Sequence, residues 1–424
     1  MSRRLFFFIS FLLLIILANA QDYCMKTPSG YGGNATGGGG GNVVTVKTQT
    51  ELSNALKISG PAVIIVTENI TFGEGEMIKL QVQNKTLLGM SGVRLISNAQ
   101  VKNGGILQLN SGSNNVIIRN LIFEGPGAYD TDGNDLLQNV GCTNLWVDHC
   151  EFYDGVDGNF DNTKLADNIT ISWCKFGYNK PPKAGGSGGS NDHRFTNLVG
   201  GGENDAPTDG HYSITFLFCY WSDGCKERMP RARNAELHIL NCYYNTDVSG
   251  SLALGLEGGV NGSTCYVEGT HYKKIGSTYK SYGSGTQNLT YTDCLGGTQT
   301  NIGTAPKPSY SYNALPANEV ETAVTSASGA GATLVVNAGD GSVSSYASIR
   351  FPQQETERWV QTANDIRIEN VLVKEMCLYD LSGKKVRCVS SASAISLNSL
   401  NKGLYIVSVL SANDRIFNKK IIVY

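Results

Sequence analysis

Six segments of the chain follow one template. They begin at Asn115 (NVIIRNLIF), Asn144 (NLWVDHCEF), Asn168 (NITISWCKF), Ser213 (SITFLFCYW), Glu236 (ELHILNCYY) and Asn288 (NLTYTDCLG). The seventh position is Leu121, Cys150, Cys174, Cys219, Cys242 and Cys294, and the ninth is aromatic in five of the six: Phe123, Phe152, Phe176, Trp221 and Tyr244. Small apolar side chains and aromatic rings therefore occupy two separate columns. Where no long loop intervenes the spacing falls in the low twenties, 24 residues from Asn144 to Asn168 and 23 from Ser213 to Glu236. A period of that length is the mark of a solenoid, in which a coil that cannot bury its apolar face alone stacks on the next. Equivalent residues then lie above one another at the inter-strand spacing of about 4.8 Å, forming long parallel sheets. A leucine-rich repeat would show LxxLxL, and an immunoglobulin-like sandwich would not keep positional columns. The expected fold class is all-β, a parallel β-helix.

Composition agrees. Glycine makes up 50 of 424 residues and charged residues only 17%, which suits short strands and tight turns. Lys plus Arg is 34 against Asp plus Glu 36, so overall charge argues for no nucleic-acid partner, and any electrostatic binding is local. Of the 11 cysteines, the five in the template column read as buried free thiols, small hydrophobes inside the core. Residues 44–60 read as a strand and a short amphipathic helix that caps the solenoid. Asn168 and Asn288 open Asn-x-Thr sequences, but as the first residues of repeats they read as turn formers rather than glycosylation sites.

Four regions are expected. Residues 1–20 carry Arg3 and Arg4, an apolar run from Leu5 to Leu17 broken only at Ser10, and Ala18-Asn19-Ala20, the pattern of a secretory signal peptide. That run is too short to span a bilayer, which takes roughly 20 residues, so no membrane span is expected. Residues 21–332 hold the β-helix, and 333–360, rich in Ala, Ser and Gly, read as a linker. Residues 361–424 switch to alternating strands and read as a small C-terminal β-sandwich, in which Cys377 and Cys388 could pair.

Two groups of residues carry chemistry. Asp135 lies eleven residues before Trp146, and Asp157 and Asp161 flank the turn DGNFD. Three hard oxygen donors brought together by stacked coils would suit Ca²⁺, although aspartates beside glycine are also ordinary turn residues. The second group is Lys226-Glu227-Arg228-Met229-Pro230-Arg231-Ala232-Arg233. Arginines at this spacing can present forked donors to carboxylates; the plain alternative is a solvated basic loop.

The stretches GYGGNATGGGGGNVVTV, VIIRNLIFEG, NLWVDHCEF, DGNFD, ERMPRAR and HILNCYYN together resemble the pectate lyase family of polysaccharide lyases, in order and spacing. The resemblance implies a right-handed parallel β-helix with Ca²⁺ at Asp135, Asp157 and Asp161, Arg228 as the base, Arg233 holding a substrate carboxylate, and Arg231 beside it. It implies calcium-dependent β-eliminative cleavage of polygalacturonate. An arginine base conflicts with a reference pKa above 12, and crowding by cations would disfavour its charged form. The family also places a lysine after a strand like NITISWCKF, where this chain continues GYNKPPKAGGSGGSNDHRFTNLVG. Lys180 and Lys183 fit by distance from Cys174, and Arg194 fits by alignment on the following LVG. The glycine-rich stretch reads as a flap at the groove. Trp146, Asp148 and His149 read as structural. The tail, with LYDLSGKKV and a basic KKIIV ending, resembles the C-terminal sorting domain of type IX secretion, which implies a secreted or cell-surface protein, expected to be a monomer. The competing readings are a pectin lyase, a polygalacturonase suggested by Asp130-Thr131-Asp132-Gly133, and a non-catalytic glycan-binding β-helix.

Overall fold

A computed structural model describes residues 23–345, 358–369, 373–390, 392–411 and 416–423. The expected signal peptide lies outside the described residues. The chain divides into two compact units, Met1–Ser348 and Ile349–Tyr424.

The first unit is a parallel β-helix of three sheets, with ten, eight and eight strands. Eight coils contribute one strand to each sheet, and the terminal strands Asn42–Val46 and Gln287–Thr292 extend the first sheet alone. The third coil of the template shows the pattern: Asp167–Ser172 in the first sheet, Lys175–Gly177 in the second and, after a long loop, Leu198–Val199 in the third. Between a first-sheet strand and the next second-sheet strand the chain turns at one residue of positive φ: Asn120, His149, Trp173, Phe218, Asn241 or Gly269. That left-handed conformation costs a residue other than glycine roughly 1–2 kcal/mol, and Asn or Asp bears it best because its short side chain bonds locally. The repeat-opening Asn115, Asn144 and Asn168 are left-handed too, at φ 57, 52 and 55, which fits their reading as turn residues.

Both columns are present inside. Cys150, Cys174, Cys219 and Cys242 are fully buried free thiols, and Cys294 is half-buried. Each thiol lies close to a carbonyl of the preceding coil, as Cys219 does to Ile171 O at 3.3 Å and Cys242 to Phe216 O at 3.4 Å. Phe123, Phe152, Phe176, Trp221, Tyr244 and Tyr272 stack in sequence, with ring centroids 4.6 to 5.6 Å apart, close to the strand spacing that imposes them. The cap is the helix Gln49–Leu56, opened by a capping box between Thr48 and Glu51 and burying Leu52, Ala55 and Leu56.

Glycine-rich residues 30–41 run across the outer face of the first sheet, where Gly32 and Gly38 donate to Thr170 Oγ1 and Thr86 Oγ1. A Cβ on Gly38 would lie 1.9 Å from Ala62 O, so only glycine permits this approach.

The expected linker needs correction at its start. Leu334–Val336 and Val343–Ser345 form an antiparallel hairpin whose Val336 packs on Ile65 and Leu88. Leu334 pairs its N–H and C=O with the side-chain amide of the turn residue Asn120, at 2.8 and 2.9 Å. Asn241 pairs in the same way with Leu315. Truncation after Ala332 should therefore lower the melting temperature by about 5 °C relative to truncation after Ser345, because it leaves a buried amide unpaired at a cost of about 1–3 kcal/mol and uncovers apolar side chains. Equal melting curves for the two truncations would show that the hairpin adds nothing.

The second unit contains a three-stranded and a four-stranded antiparallel sheet enclosing Ile366, Ile368, Met376, Leu378, Val407 and Val409. It is a small β-sandwich. Cys377 and Cys388 face each other across paired strands and form a disulfide.

Candidate active site

The third sheet builds the site. Its strands Leu137–Asn139, Phe160–Asn162, Leu198–Val199, Arg231–Ala232 and Leu252–Leu256 lie side by side. Asp135 precedes the first of these, Asp157 precedes the second and Asp161 lies in it, Arg228 precedes the fourth, and Glu257 follows the fifth. Stacking thus gathers residues more than a hundred positions apart beside one cleft of about 460 Å³.

Asp157, Asp161, Arg228 and Arg233 line the cleft together with Asp130 and His193. Asp135 is not among the lining residues and is buried, 3% exposed. Its Oδ2 accepts from Gln138 Nε2 at 3.0 Å, while its Oδ1 is buried with no hydrogen-bond partner. A Cβ on Gly158 would lie 2.6 Å from that Oδ1 and 3.1 Å from Asp161 Oδ1, so the space left open by this glycine is where two carboxylates converge. Burial, with Asp161 and Asp157 nearby, pushes the Asp135 carboxyl well above the usual carboxylate range. Burial likewise pushes Asp161 up to about 7, against the pull of Arg228 and of the Leu198 N–H. Desolvated carboxylates that repel one another are matched to a hard cation, and the residues present fit Ca²⁺ on that ground.

The same electrostatics set a pH dependence. The folded Asp161 holds a proton that the unfolded chain, with a carboxyl pKa near 4, releases, so its contribution is fully present below about pH 4 and is lost as pH rises through about 7. In a chelator the melting temperature should fall between roughly pH 5 and 8, and saturating calcium should flatten that slope. Scanning calorimetry across the range checks this; a level chelator curve would show that the buried carboxylates do not govern stability there.

Arg228 adopts φ +58, a strained conformation for a long side chain and typical of functional positions. Its carbonyl is pinned by Asn197 N–H at 2.7 Å and Thr196 Oγ1 at 2.5 Å. Its guanidinium lies 5.0 Å from the Phe195 ring and 3.9 Å from Asp161 Oδ2, with Nε buried and unpartnered. Arg231 and Arg233 are both held by one buried carboxylate: Arg231 Nε donates to Glu257 Oε1 at 2.8 Å and Arg233 Nε to Oε2 at 2.5 Å. Glu257 therefore offsets the cationic crowding expected around Arg228. Removing its charge by Glu257→Gln should loosen both arginines and raise KM roughly tenfold with a smaller change in kcat; an unchanged KM would show that the pair needs no such anchor.

The three cations proposed for the lysine role lie outside the cleft. Lys180 donates to Gly125 O at 2.6 Å and sits 3.4 Å from Glu124. The Lys183 ammonium lies 4.2 Å over Tyr129, and Arg194 forks onto Asp192 at 2.7 Å. Instead of an ammonium, Phe195 faces Arg228. The glycine-rich stretch read as a flap is laced onto Asp130, whose C=O accepts from Gly188 N–H at 3.0 Å and whose Oδ2 accepts from Ser190 N–H at 2.7 Å. Trp146, Asp148 and His149 are structural: Asp148 is fully buried and receives Arg119, Ser172 and His149. Sequence reasoning missed His193 and Glu257, which belong to no repeat column, and met Asp130 only as part of a hydrolase motif.

A family model described as pectate lyase matches residues 8–333, and one described as a secretion system C-terminal sorting domain matches residues 360–424. A pectate trisaccharide-lyase of Thermotoga maritima is 32% identical over 240 residues, covering 55% of this chain and 57% of that protein. A pectate lyase of Emericella nidulans is 31% identical over 54% of this chain and 63% of its own length; the matched regions thus span less than two thirds of either relative. A pectate trisaccharide-lyase of Bacillus licheniformis is 27% identical over 73% of this chain and 87% of its own. Among solved structures, a pectate lyase of Bacillus sp. N165 in complex with trigalacturonate superposes with TM-score 0.52 at 23% identity, covering 72% of this chain and 99% of that one. A variant pectate lyase of Xanthomonas campestris gives TM-score 0.52 at 20% identity, covering 72% and 98%. These structures agree in fold.

Proposed function

Because the chain belongs to the pectate lyase family, we propose that it cleaves α-1,4-polygalacturonate by calcium-dependent β-elimination, releasing 4,5-unsaturated oligogalacturonides. The observation that carries this reading is a strained, pinned arginine, Arg228, in one cleft with Asp157 and the buried Asp161, on which the buried Asp135 carboxylate converges.

The reaction removes the C5 proton of a galacturonate unit, α to a carboxylate, and expels the O4 substituent. That proton is only weakly acidic while the carboxylate keeps its full negative charge. Calcium held by Asp135, Asp157 and Asp161 would supply Lewis-acid neutralisation of the uronate carboxylate. Arg233, anchored by Glu257, binds a substrate carboxylate and presents its remaining donors toward the charge that grows as C5 loses its proton. Arg228 takes the proton. Phe195 keeps an apolar wall against the Arg228 guanidinium and limits its solvation.

The first residues read as an export signal and 361–424 as a sorting signal for type IX secretion. A chain ending at Ser345 should keep lyase activity when purified and fail to reach the surface of its host.

The deciding experiment is ultraviolet absorbance on polygalacturonate with and without chelator. Growth of the unsaturated-uronate band that stops on chelation supports the proposal. Reducing ends without absorbance would indicate a hydrolase, cleavage restricted to methylated polymer a pectin lyase, and binding without cleavage a glycan-binding β-helix.

A further inference from the structure

Beside the oxygen-only set of Asp135, Asp157 and Asp161 lies a second arrangement. Asp130, Asp157 and His193 each place one donor atom within 4.8 Å of the others. Asp130 and His193 are each 4% exposed, and all three residues line the cleft, so an ion has a path to them.

The imidazole is the informative group. Its Nε2 lies 2.8 Å from Asp157 Oδ1 and its Nδ1 lies 3.3 Å from Asp130 Oδ2. Neither approach has the direction of a hydrogen bond, and both ring nitrogens remain buried without such a partner. An imidazole turns only one nitrogen to a given ion, so one of these close pairs, with its oxygen off the N–H axis, is what shared coordination produces, and the other carboxylate reaches the same ion from within 4.8 Å. Metal–nitrogen and metal–oxygen bonds of about 2.1 Å meeting near a right angle set their donors about 3 Å apart, with the lone pairs aimed at the ion rather than at each other. The surroundings hold the donors in place: Ser190 N–H donates to Asp130 Oδ2 at 2.7 Å, and the Phe195 ring packs against the imidazole at 4.1 Å. Two carboxylates with one imidazole suit zinc, cobalt or nickel, whereas calcium takes oxygen donors.

We propose that Asp130, Asp157 and His193 form a binding site for a nitrogen-accepting divalent transition cation of the cobalt or zinc kind, adjoining the calcium set and sharing Asp157 with it. The site does not depend on the lyase reading, because it rests on donor chemistry and geometry alone.

The test uses full-length protein without a histidine tag, stripped of metal and titrated with Co²⁺, followed by calorimetry and by cobalt d–d absorption. One cobalt should bind. His193→Gln should weaken it at least tenfold, the usual scale for disturbing a metal site, while Asp135→Asn should change it less than about threefold. Circular-dichroism melting confirms that each variant folds, and Asp130→Asn replaces His193→Gln if the latter does not. Absence of binding at millimolar cobalt, unchanged affinity in the folded His193→Gln or Asp130→Asn protein, or a strong sulfur-to-cobalt band marking the cysteines as ligands would each overturn the proposal. Unsaturated product formation is measured separately, so the metal site and the lyase reading can fail independently.

Discussion

Arg228→Lys should lower kcat on polygalacturonate by about 10²–10⁴-fold, the range for loss of a general base, with KM nearly unchanged. The backbone argument isolates the side chain. Arg228 sits at positive φ with its carbonyl pinned by Thr196 and Asn197, and lysine meets the same backbone cost. What changes is the planar fork, which lies against Phe195 and within 3.9 Å of Asp161. A base contributes only in the transition state, so its loss appears in kcat, whereas Arg233→Ala removes a clamp that also acts in the ground state and should chiefly raise KM. A guanidine accepts a proton only in its neutral form, whose fraction grows with pH, so wild-type activity should climb above neutrality. A lysine variant with wild-type kcat, or a mildly acidic optimum, would show that another group takes the proton. Since Lys180 and Lys183 lie outside the cleft, His193 would be examined next.

Removal of divalent cations should abolish turnover, and Asp161→Asn should weaken calcium binding on the order of 100-fold, a loss somewhat above that from disturbing a ligand's supporting contacts. Asparagine keeps an acceptor for the Leu198 N–H, which reaches Asp161 Oδ1 at 2.8 Å, so the coil should survive. In chelator the variant should melt at or above the wild-type temperature near pH 8, because it no longer holds a charge in a buried position. Calorimetric calcium titration and melting curves read both effects. Full activity of Asp161→Asn at low calcium would remove the aspartates from the metal assignment.

The repeats were legible wherever a coil kept both columns. Coils that broke the template escaped notice. The strand Ser263–Glu268 is followed by Gly269 and Thr270, with no cysteine, yet Tyr272 continues the aromatic stack 4.8 Å from Tyr244. In the early coil of Gln83–Gly89 neither column residue is present. The hairpin at Leu334–Val336 was read as linker because three-residue strands among Ala, Gly and Ser leave no periodicity to see. In the cleft, Asp157, Asp161 and the arginines stood out as short motifs. His193 did not: its partner Asp130 lies 63 positions earlier, and a loop, rather than any repeat, brings them together. Glu257 was hidden similarly, since its use follows from which side chains the stacking places beside it.

The thiol column bears on how such a chain survives its own biogenesis. A polypeptide that crosses into an oxidising compartment unfolded presents every cysteine to disulfide-forming catalysts, and the nine free thiols of the described residues could be joined in many wrong pairs. Nothing in the finished solenoid repairs such a pair, because seven of those sulfurs are sealed inside its core. Maturation is therefore a race between stacking and oxidation. A coil contacts mainly its neighbours, so each docking event withdraws a thiol from solvent without waiting for distant sequence. Host strains with slowed oxidant supply should consequently yield more active protein, and replacing Cys174 and Cys219 by alanine or valine should lessen the dependence on that supply.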